Sequence, residues 1–300
     1  MTEHRFPEPL LAIRNLTLRY RGAAGSTTIL REVNLDLRRG EILGLIGESG
    51  AGKSTLGQAI LGLLPPEFER TAGTICFHGQ DLDRMSERQR DAIRGRKISA
   101  IFQDHTASLD PLMTIGAQVQ ETILATQAKM AKRDARARAL ELLARVGIHD
   151  PAERFRSFPH QLSGGQRQRV VIAIALAGAP DIIVADEPTS ALDTTVQKQI
   201  LRLLRELVDE TRVSVILVTH DMGVISDVAD RVLVMKNGEV VEEGATATLL
   251  DAPCEDYTRG LLAAVPRLRV SSWGLPDESA EDVVRRFWGQ GGTEAVTKTS

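Results

Sequence analysis

Cysteine is scarce: Cys76 and Cys254 stand far apart and form no C-x-x-C pair. That argues against a disulfide framework, a zinc site or an iron–sulfur cluster, and it points to a reducing compartment. Basic charge is not in excess either. Against 37 Lys and Arg stand 40 Asp and Glu, a net charge of −3, so no global basic field directs the chain to nucleic acid. The opening residues, MTEHRFPEPL, carry charges and two prolines where a secretory signal needs an apolar stretch, so no signal peptide is expected. The longest greasy segment, Val170–Ala179, is about half of the roughly 18–20 residues that span a bilayer and reads as a buried helix. Any membrane role then comes through a partner. What the 300 residues do have is a 42% apolar fraction, enough for a proper core in one large or two modest domains.

The most informative stretch is GESGAGKST, which follows the apolar run Ile42–Ile46 and precedes a helix-like segment. Gly47, Glu48, Ser49, Gly50, Ala51, Gly52, Lys53 and Ser54 match G-x-x-x-x-G-K-[ST], a P-loop, and Thr55 follows directly. Its glycines let the backbone turn tightly, so successive N–H groups converge on phosphate oxygens at a helix N-terminus. Lys53 reaches the β- and γ-phosphates, and Ser54 offers its hydroxyl to Mg²⁺.

Short β-like runs, Leu11–Ile13, Leu16–Leu18 and Val33–Leu37, punctuated by a turn at Gly22–Ser26, predict antiparallel strands leading into the P-loop strand. Gly73–Gly79 adds another strand and turn. From Pro111 to about Gly178 the character is helical, with Lys129–Val146 stopped by Gly147, a fitting C′ residue. Then βα alternation resumes: Ile182–Ala185 is a strand, Val196, Ile200, Leu203, Leu204 and Leu207 form a helix stripe, and Val213–Thr219 is the next strand. The expected fold is α/β: a P-loop NTPase core with a parallel sheet flanked by helices, an antiparallel β subdomain, and a helical subdomain inserted at about 104–178. Beyond Gly244 runs an extension whose end, Gly289–Ser300, is polar and expected to be loose.

In an open parallel sheet, ligand chemistry gathers beyond the carboxyl ends of the strands. Each apolar run here ends in a candidate: Ile42–Ile46 in the P-loop, Ile98–Phe102 in Gln103, Ile182–Ala185 in Asp186 and Glu187, and Val215–Thr219 in His220. Asp186 has the place of a Walker B aspartate, holding Mg²⁺ opposite Ser54. Glu187, a second carboxylate without ligand duty, suits a general base that polarises an attacking water. The same Asp186–Thr189 run could do no more than cap the next helix, and His220 could be a core histidine. At this strand end it would instead sit near the γ-phosphate, orienting water and Glu187.

LSGGQ, Leu162–Gln166, opens another helix. Ser163 and Gln166 fit a capping box, which needs no ligand. A glycine-rich helix start such as Ser163, Gly164, Gly165 and Gln166 is equally an anion site. Two phosphate sites in one chain call for an explanation.

LSGGQ, GESGAGKST, Gln103, IIVADEP, SALD (Ser190–Asp193) and His220 together strongly resemble the nucleotide-binding subunit of ATP-binding cassette (ABC) transporters, over roughly residues 10–250. The resemblance implies a RecA-like core and hydrolysis of ATP with Mg²⁺. It implies catalytic duty for Glu187, His220, Gln103 and Lys53, and metal held by Ser54, Gln103 and Asp186. In that family two subunits face each other head to tail, so that LSGGQ of one closes over the γ-phosphate on the P-loop of the other. It further implies that Gln103 senses Mg²⁺ and the membrane partner, and that Ser190–Asp193 lines the dimer seam. Tyr20 would stack on adenine, although a merely packed aromatic fits its place near a turn equally well.

Phe102–Pro111 and Phe158–Gln161 look like the oligopeptide, dipeptide and nickel importer subfamily, and Pro253–Pro266 resembles its C-terminal motif. That implies an ATPase domain over 1–250 and an extension over 251–300. Many peptide-importer relatives carry a cysteine-containing segment after this motif; here the remaining residues have none, which counts against an iron–sulfur site. The sequence thus reads as an ATP-hydrolysing subunit, peripheral on the cytoplasmic face of the membrane, energising uptake of peptides or a related solute such as nickel or a metal chelate. Its implied partners are a second ABC ATPase subunit, identical or not, two integral-membrane permeases and, indirectly, an extracytoplasmic solute-binding protein; no nucleic acid is expected. Gln103 to about Gln118, with the partly apolar Ser108–Pro111, would either receive a permease helix or be a plain inter-subdomain loop. One alternative is a soluble ABC ATPase attached to a cytoplasmic enzyme complex, such as one for phosphonate degradation. A non-hydrolysing nucleotide-gated scaffold is disfavoured because Glu187 and His220 are both present.

Overall fold

Apolar residues recur along the first segments so that Leu11, Ile13, Leu16 and Leu18 face Leu30, Val33, Leu35 and Leu37 in one buried layer. The result, in a computed structural model that describes residues 8–22, 25–104, 106–127 and 129–264, is a long antiparallel pair, β1 (Leu11–Gly22) and β2 (Gly25–Leu37). It runs from Leu11↔Leu37 to Gly22↔Gly25 with register shifts between Ile13 and Arg19. The separate short runs read from the sequence are pieces of two strands, interrupted where Asn15 and Glu32 take positive φ. A bulge costs alternation without ending a strand.

β3 (Ile42–Ile46) then crosses to a second sheet, α1 (Lys53–Leu61) follows the P-loop, and β4 (Phe68–Phe77) and β5 (Gln80–Asp81) return to the first. That first sheet has the order β2-β1-β4-β5 and is antiparallel throughout, as expected. α2 (Glu87–Ile93) and β6 (Ile98–Ile101) lead into the helical region, α3 (Ile115–Thr126), α4 (Lys132–Arg145), α5 (Pro151–Arg154) and α6 (Gly164–Leu176). α4 ends where Gly147 turns to φ +78. The remainder alternates: β7 (Ile182–Asp186), α7 (Thr194–Thr211), β8 (Ser214–Val218), α8 (Met222–Val228), β9 (Arg231–Lys236), β10 (Glu239–Ala245), α9 (Thr246–Asp251) and α10 (Asp256–Ala264). Residues 265–300, with the tail expected to be loose, lie outside the described residues.

The second sheet has the order β10-β9-β3-β8-β7-β6, parallel except for β10, which folds back on β9. Its strands are apolar on both faces because both are covered. Ile42 and Ile46 of β3, Ile183 of β7 and Val215 and Leu217 of β8 join the helices in one core. Leu43, Leu45, Val184, Ile216 and Val218 point the other way, to α1 and the antiparallel sheet. With both layers full, the polar residues that follow these strands have one place to go, the open carboxyl edge.

Candidate active site

The P-loop is pressed between two strands that lie far from it in sequence. A Cβ on Gly47 would stand 2.1 Å from the Met235 carbonyl of β9, and one on Gly52, at φ +99, 2.7 Å from Leu30 of β2. Only glycine fits either position. Gly52 is also the N-cap of α1 and brings no side-chain cap, so the first N–H groups of that helix are left for a ligand. Lys53 is buried, and its Nζ donates to the Gly47 carbonyl at 2.7 Å and the Glu48 carbonyl at 2.9 Å. Burial holds its ammonium below the usual lysine pKa, against the upward pull of Glu187 and Asp186.

Beside this loop, Ser54 Oγ donates to Asp186 Oδ1 at 3.2 Å. Burial raises the pKa of Asp186, the Ser54 bond opposes that, and the neighbouring Glu187 charge adds to it. Glu187 itself stands at φ 46, an unusual backbone for a side chain that size, and its N–H donates to Val218 of β8 at 2.9 Å. Such strain gathers at functional sites. Its carboxylate takes Gln103 Nε2 on Oε2 at 3.2 Å and pairs with His220 Nδ1 on Oε1 at 2.7 Å. One carboxylate therefore ties together the ends of β6, β7 and β8. His220 is exposed, not a core histidine. Nor does the Asp186–Thr189 run cap α7: Asp193 does, accepting Thr195 and Val196 N–H at 3.1 and 3.0 Å. Gln103 joins Glu187 rather than the Ser54–Asp186 pair.

These donors suit the groups the motifs imply. Ser54 Oγ and Asp186 Oδ1 are adjacent hard oxygens of the kind Mg²⁺ takes. A buried ammonium inside a glycine-turned loop at an uncapped helix start suits phosphate.

Two expected site elements lie elsewhere. At α6, Ser163 Oγ accepts Gln166 N–H at 3.3 Å while Gln166 Oε1 accepts Ser163 N–H at 3.0 Å, so the capping box is complete. Gly165 lets α6 approach α7, since a Cβ there would lie 2.5 Å from Val196 Cγ1. Among the described residues no hydrogen bond links Leu162–Gln166 to the P-loop cluster. Tyr20, on β1, is 39% exposed and rests against Phe68 with ring centroids 5.3 Å apart. It is further out on the hairpin than Leu30, which touches the loop.

Three further side chains have places that the sequence did not make legible. Gln118, buried, clamps the loop before α3: it accepts the Asp110 N–H at 3.0 Å and donates to the Asp110 and Met113 carbonyls at 2.9 and 3.0 Å. In that loop Leu109 is only 3% exposed and belongs to the core, whereas Leu112 is 86% exposed, so the apolar surface differs from the one expected at Ser108–Pro111. Tyr257 of α10 reaches the P-loop, accepting the Glu48 N–H at 3.1 Å. A polar side chain in an apolar helix stripe was the available signal for Gln118; nothing local marks the other two.

A strand–P-loop–helix unit, a Walker-type aspartate and a following glutamate at neighbouring strand ends, with an antiparallel sheet and inserted helices, define an ATP-binding cassette. The chain belongs to the ABC transporter family, whose model matches residues 30–190. It is 48% identical over 262 residues to the dipeptide transport ATP-binding protein DppD of Bacillus subtilis, covering 87% of this chain and 78% of that protein. To the oligopeptide transport ATP-binding protein OppD of the same organism it is 46% identical over 263 residues, covering 87% and 73%. Among solved structures it is similar to the ATP-binding cassette MJ0796, in a dimeric post-hydrolysis state bound to ADP and Pi: TM-score 0.69, 34% identity, 79% of this chain and 98% of that one. It also resembles cbiO1 of Clostridium perfringens, part of the ABC transporter complex cbiONQ, with TM-score 0.71, 30% identity and coverage of 87% and 97%. Among the described residues no helix is long and apolar enough to cross a membrane.

Proposed function

We propose that this chain is the ATP-binding and ATP-hydrolysing subunit of an ABC importer that takes up peptides or a related small solute such as nickel or a metal chelate. The observation that carries the chemistry is the Glu187 carboxylate, held by Gln103 and His220 next to the Ser54–Asp186 pair. The names of the DppD and OppD relatives support the peptide class; they give no support to a soluble ATPase attached to a degradative enzyme complex.

In this reading Gly47–Thr55 cradle the phosphates through backbone N–H groups, and Lys53 offers them the ammonium that now serves two loop carbonyls. Ser54 and Asp186, with Gln103, would hold Mg²⁺, which would neutralise charge on the phosphates. Glu187 accepts a proton from the attacking water, and an ionised Glu187 fixes His220 as its Nδ1–H tautomer, so the imidazole steadies the base. Tyr20 offers its exposed face to adenine. Ser163, Gly164, Gly165 and Gln166 serve the P-loop of a second ABC ATPase subunit, identical or not, across a seam lined by Ser190–Asp193.

Two permeases would receive the subunit on the cytoplasmic face of the membrane, fed by an extracytoplasmic solute-binding protein. Phe102 and Leu112, both exposed, would form the apolar part of the docking surface. Residues 1–250 would make the ATPase domain, with the helical subdomain at about 104–178, and 251–300 the extension. The test is reconstitution of the chain with two permeases and a solute-binding protein from its own genome in proteoliposomes. Di- or oligopeptides should stimulate ATP hydrolysis and accumulate; a complex that hydrolyses ATP but responds to no peptide, nickel or chelate would overturn the importer reading.

A further inference from the structure

Tyr257 lies on α10, in the C-terminal motif, yet its Oη accepts the Glu48 N–H inside the phosphate loop at 3.1 Å. The carbonyl of that same peptide group, Gly47 O, accepts Lys53 Nζ at 2.7 Å. One peptide plane of the loop is thus held at both ends, by the lysine on one side and by the C-terminal helix on the other. The plane follows a glycine, so no Cβ on the preceding residue opposes its rotation. Lys53 already uses two of its three donors on loop carbonyls, and binding phosphate draws on the same ammonium. Tyr257 is the restraint on this plane that does not depend on the lysine.

The tyrosine is itself braced. Lys236 Nζ stands 4.7 Å over its ring, and the ring packs against the helical core. At the start of the helix, Cys254 and Glu255 N–H donate to the Glu242 carboxylate of β10 at 2.7 and 3.2 Å. The hydroxyl therefore arrives from a docked element.

We infer that Tyr257 is a positioning residue for the phosphate loop: its hydroxyl holds the Gly47–Glu48 peptide in the orientation that binds nucleotide. This rests on the P-loop binding ATP as proposed above. Without the hydroxyl the plane samples flipped orientations, and the apparent affinity falls by the fraction of time the loop is competent.

The experiment compares wild type with Tyr257→Phe in the full chain, which keeps the ring, its packing and the Lys236 contact. In the nucleotide-free protein, hydrogen exchange at the Glu48 amide should speed up by about 3–10-fold, the scale of one lost hydrogen bond. The Kd and KM for Mg·ATP should rise by the reciprocal of the fraction of time the loop stays competent, while kcat changes less than about twofold and the melting temperature falls by no more than about 2–4 °C. Unchanged exchange and unchanged affinity would overturn the inference, and so would a loss of affinity accompanied by a matching loss of global protection. Wild-type chain that binds no nucleotide would instead refute the proposed function, with the Glu48 exchange comparison still deciding the role of Tyr257 in the loop.

Discussion

The two glycine-rich helix starts of this chain, at α1 and at α6, are built in opposite ways. Around α1 the polar groups are under tension: a buried ammonium, two adjacent carboxylates, a glutamate with left-handed backbone and an N-cap that offers no side chain. At α6 the same kind of helix start is answered from within, Ser163 and Gln166 capping each other while Arg167 Nη1 donates to the Leu162 carbonyl at 2.8 Å. The first start is left open to a ligand. The second is stable as it stands, and in the proposed reading it acquires chemical meaning only against another subunit. Stability and function are therefore distributed unequally between the two.

The sharpest way to break this contrast is Glu187→Gln. It should lower ATP turnover by about 10²–10⁴, the usual contribution of a general base, while nucleotide still binds. Wild-type turnover in the purified complex would remove Glu187 from the chemistry.

Lys53→Ala should weaken Mg·ATP binding about 10–100-fold, the worth of one or two charge-assisted hydrogen bonds. Ser163→Arg should leave nucleotide binding to the isolated subunit intact and block hydrolysis in the pair. Mixing the two variants in one head-to-tail pair leaves one composite site with both a working P-loop and a working signature. Activity should return in the mixture although each variant alone is dead. No recovery in verified mixed pairs would mean that the α6 start does not serve the opposite P-loop.

The smallest effects lie in stability and have opposite signs at the two starts. Ser163→Ala removes a working cap and should cost about 1 kcal/mol, a fall of roughly 2–4 °C in melting temperature. Asp186→Asn should raise the melting temperature of the nucleotide-free chain, because a half-buried carboxylate beside Glu187 is replaced by a neutral amide, while Mg²⁺-dependent hydrolysis is lost. The pH dependence follows the same sign. Asp186 has its folded pKa raised above 3.8, so the folded form binds that proton more tightly than the unfolded chain. Its contribution favours folding as pH falls from its raised value toward 3.8, and that part of the slope should be missing in Asp186→Asn. Thermal melts of both chains across that window measure it, and identical slopes would exclude Asp186 as the source.

Much of this was legible along the chain because its physics is local. A P-loop is contiguous, so Gly47–Thr55 declares itself, and a capping box needs only Ser163 and Gln166 three residues apart. The buried strands read as apolar runs because both sheet faces are covered, and the polar residues after them follow from that. The bulged β1–β2 pair was seen only in fragments, since each register shift breaks the alternation that marks a strand. Leu109 and Leu112 could not be told apart, because burial in a loop depends on what packs beneath it rather than on period.

By itself, then, the amino-acid order determined which residue types stand at each strand end and each helix start. Only the tertiary structure decided which of them meet. The sheet order β10-β9-β3-β8-β7-β6 is set by how the crossover helices pack, not by order in the chain. It brings β6, β7 and β8 side by side, so that positions 103, 187 and 220 share one carboxylate. The same packing lays α10 against a loop 209 residues earlier, so that Tyr257 finds the Glu48 amide. Neither contact has a local signature, because the free energy that makes it comes from filling two cores on opposite faces of one sheet.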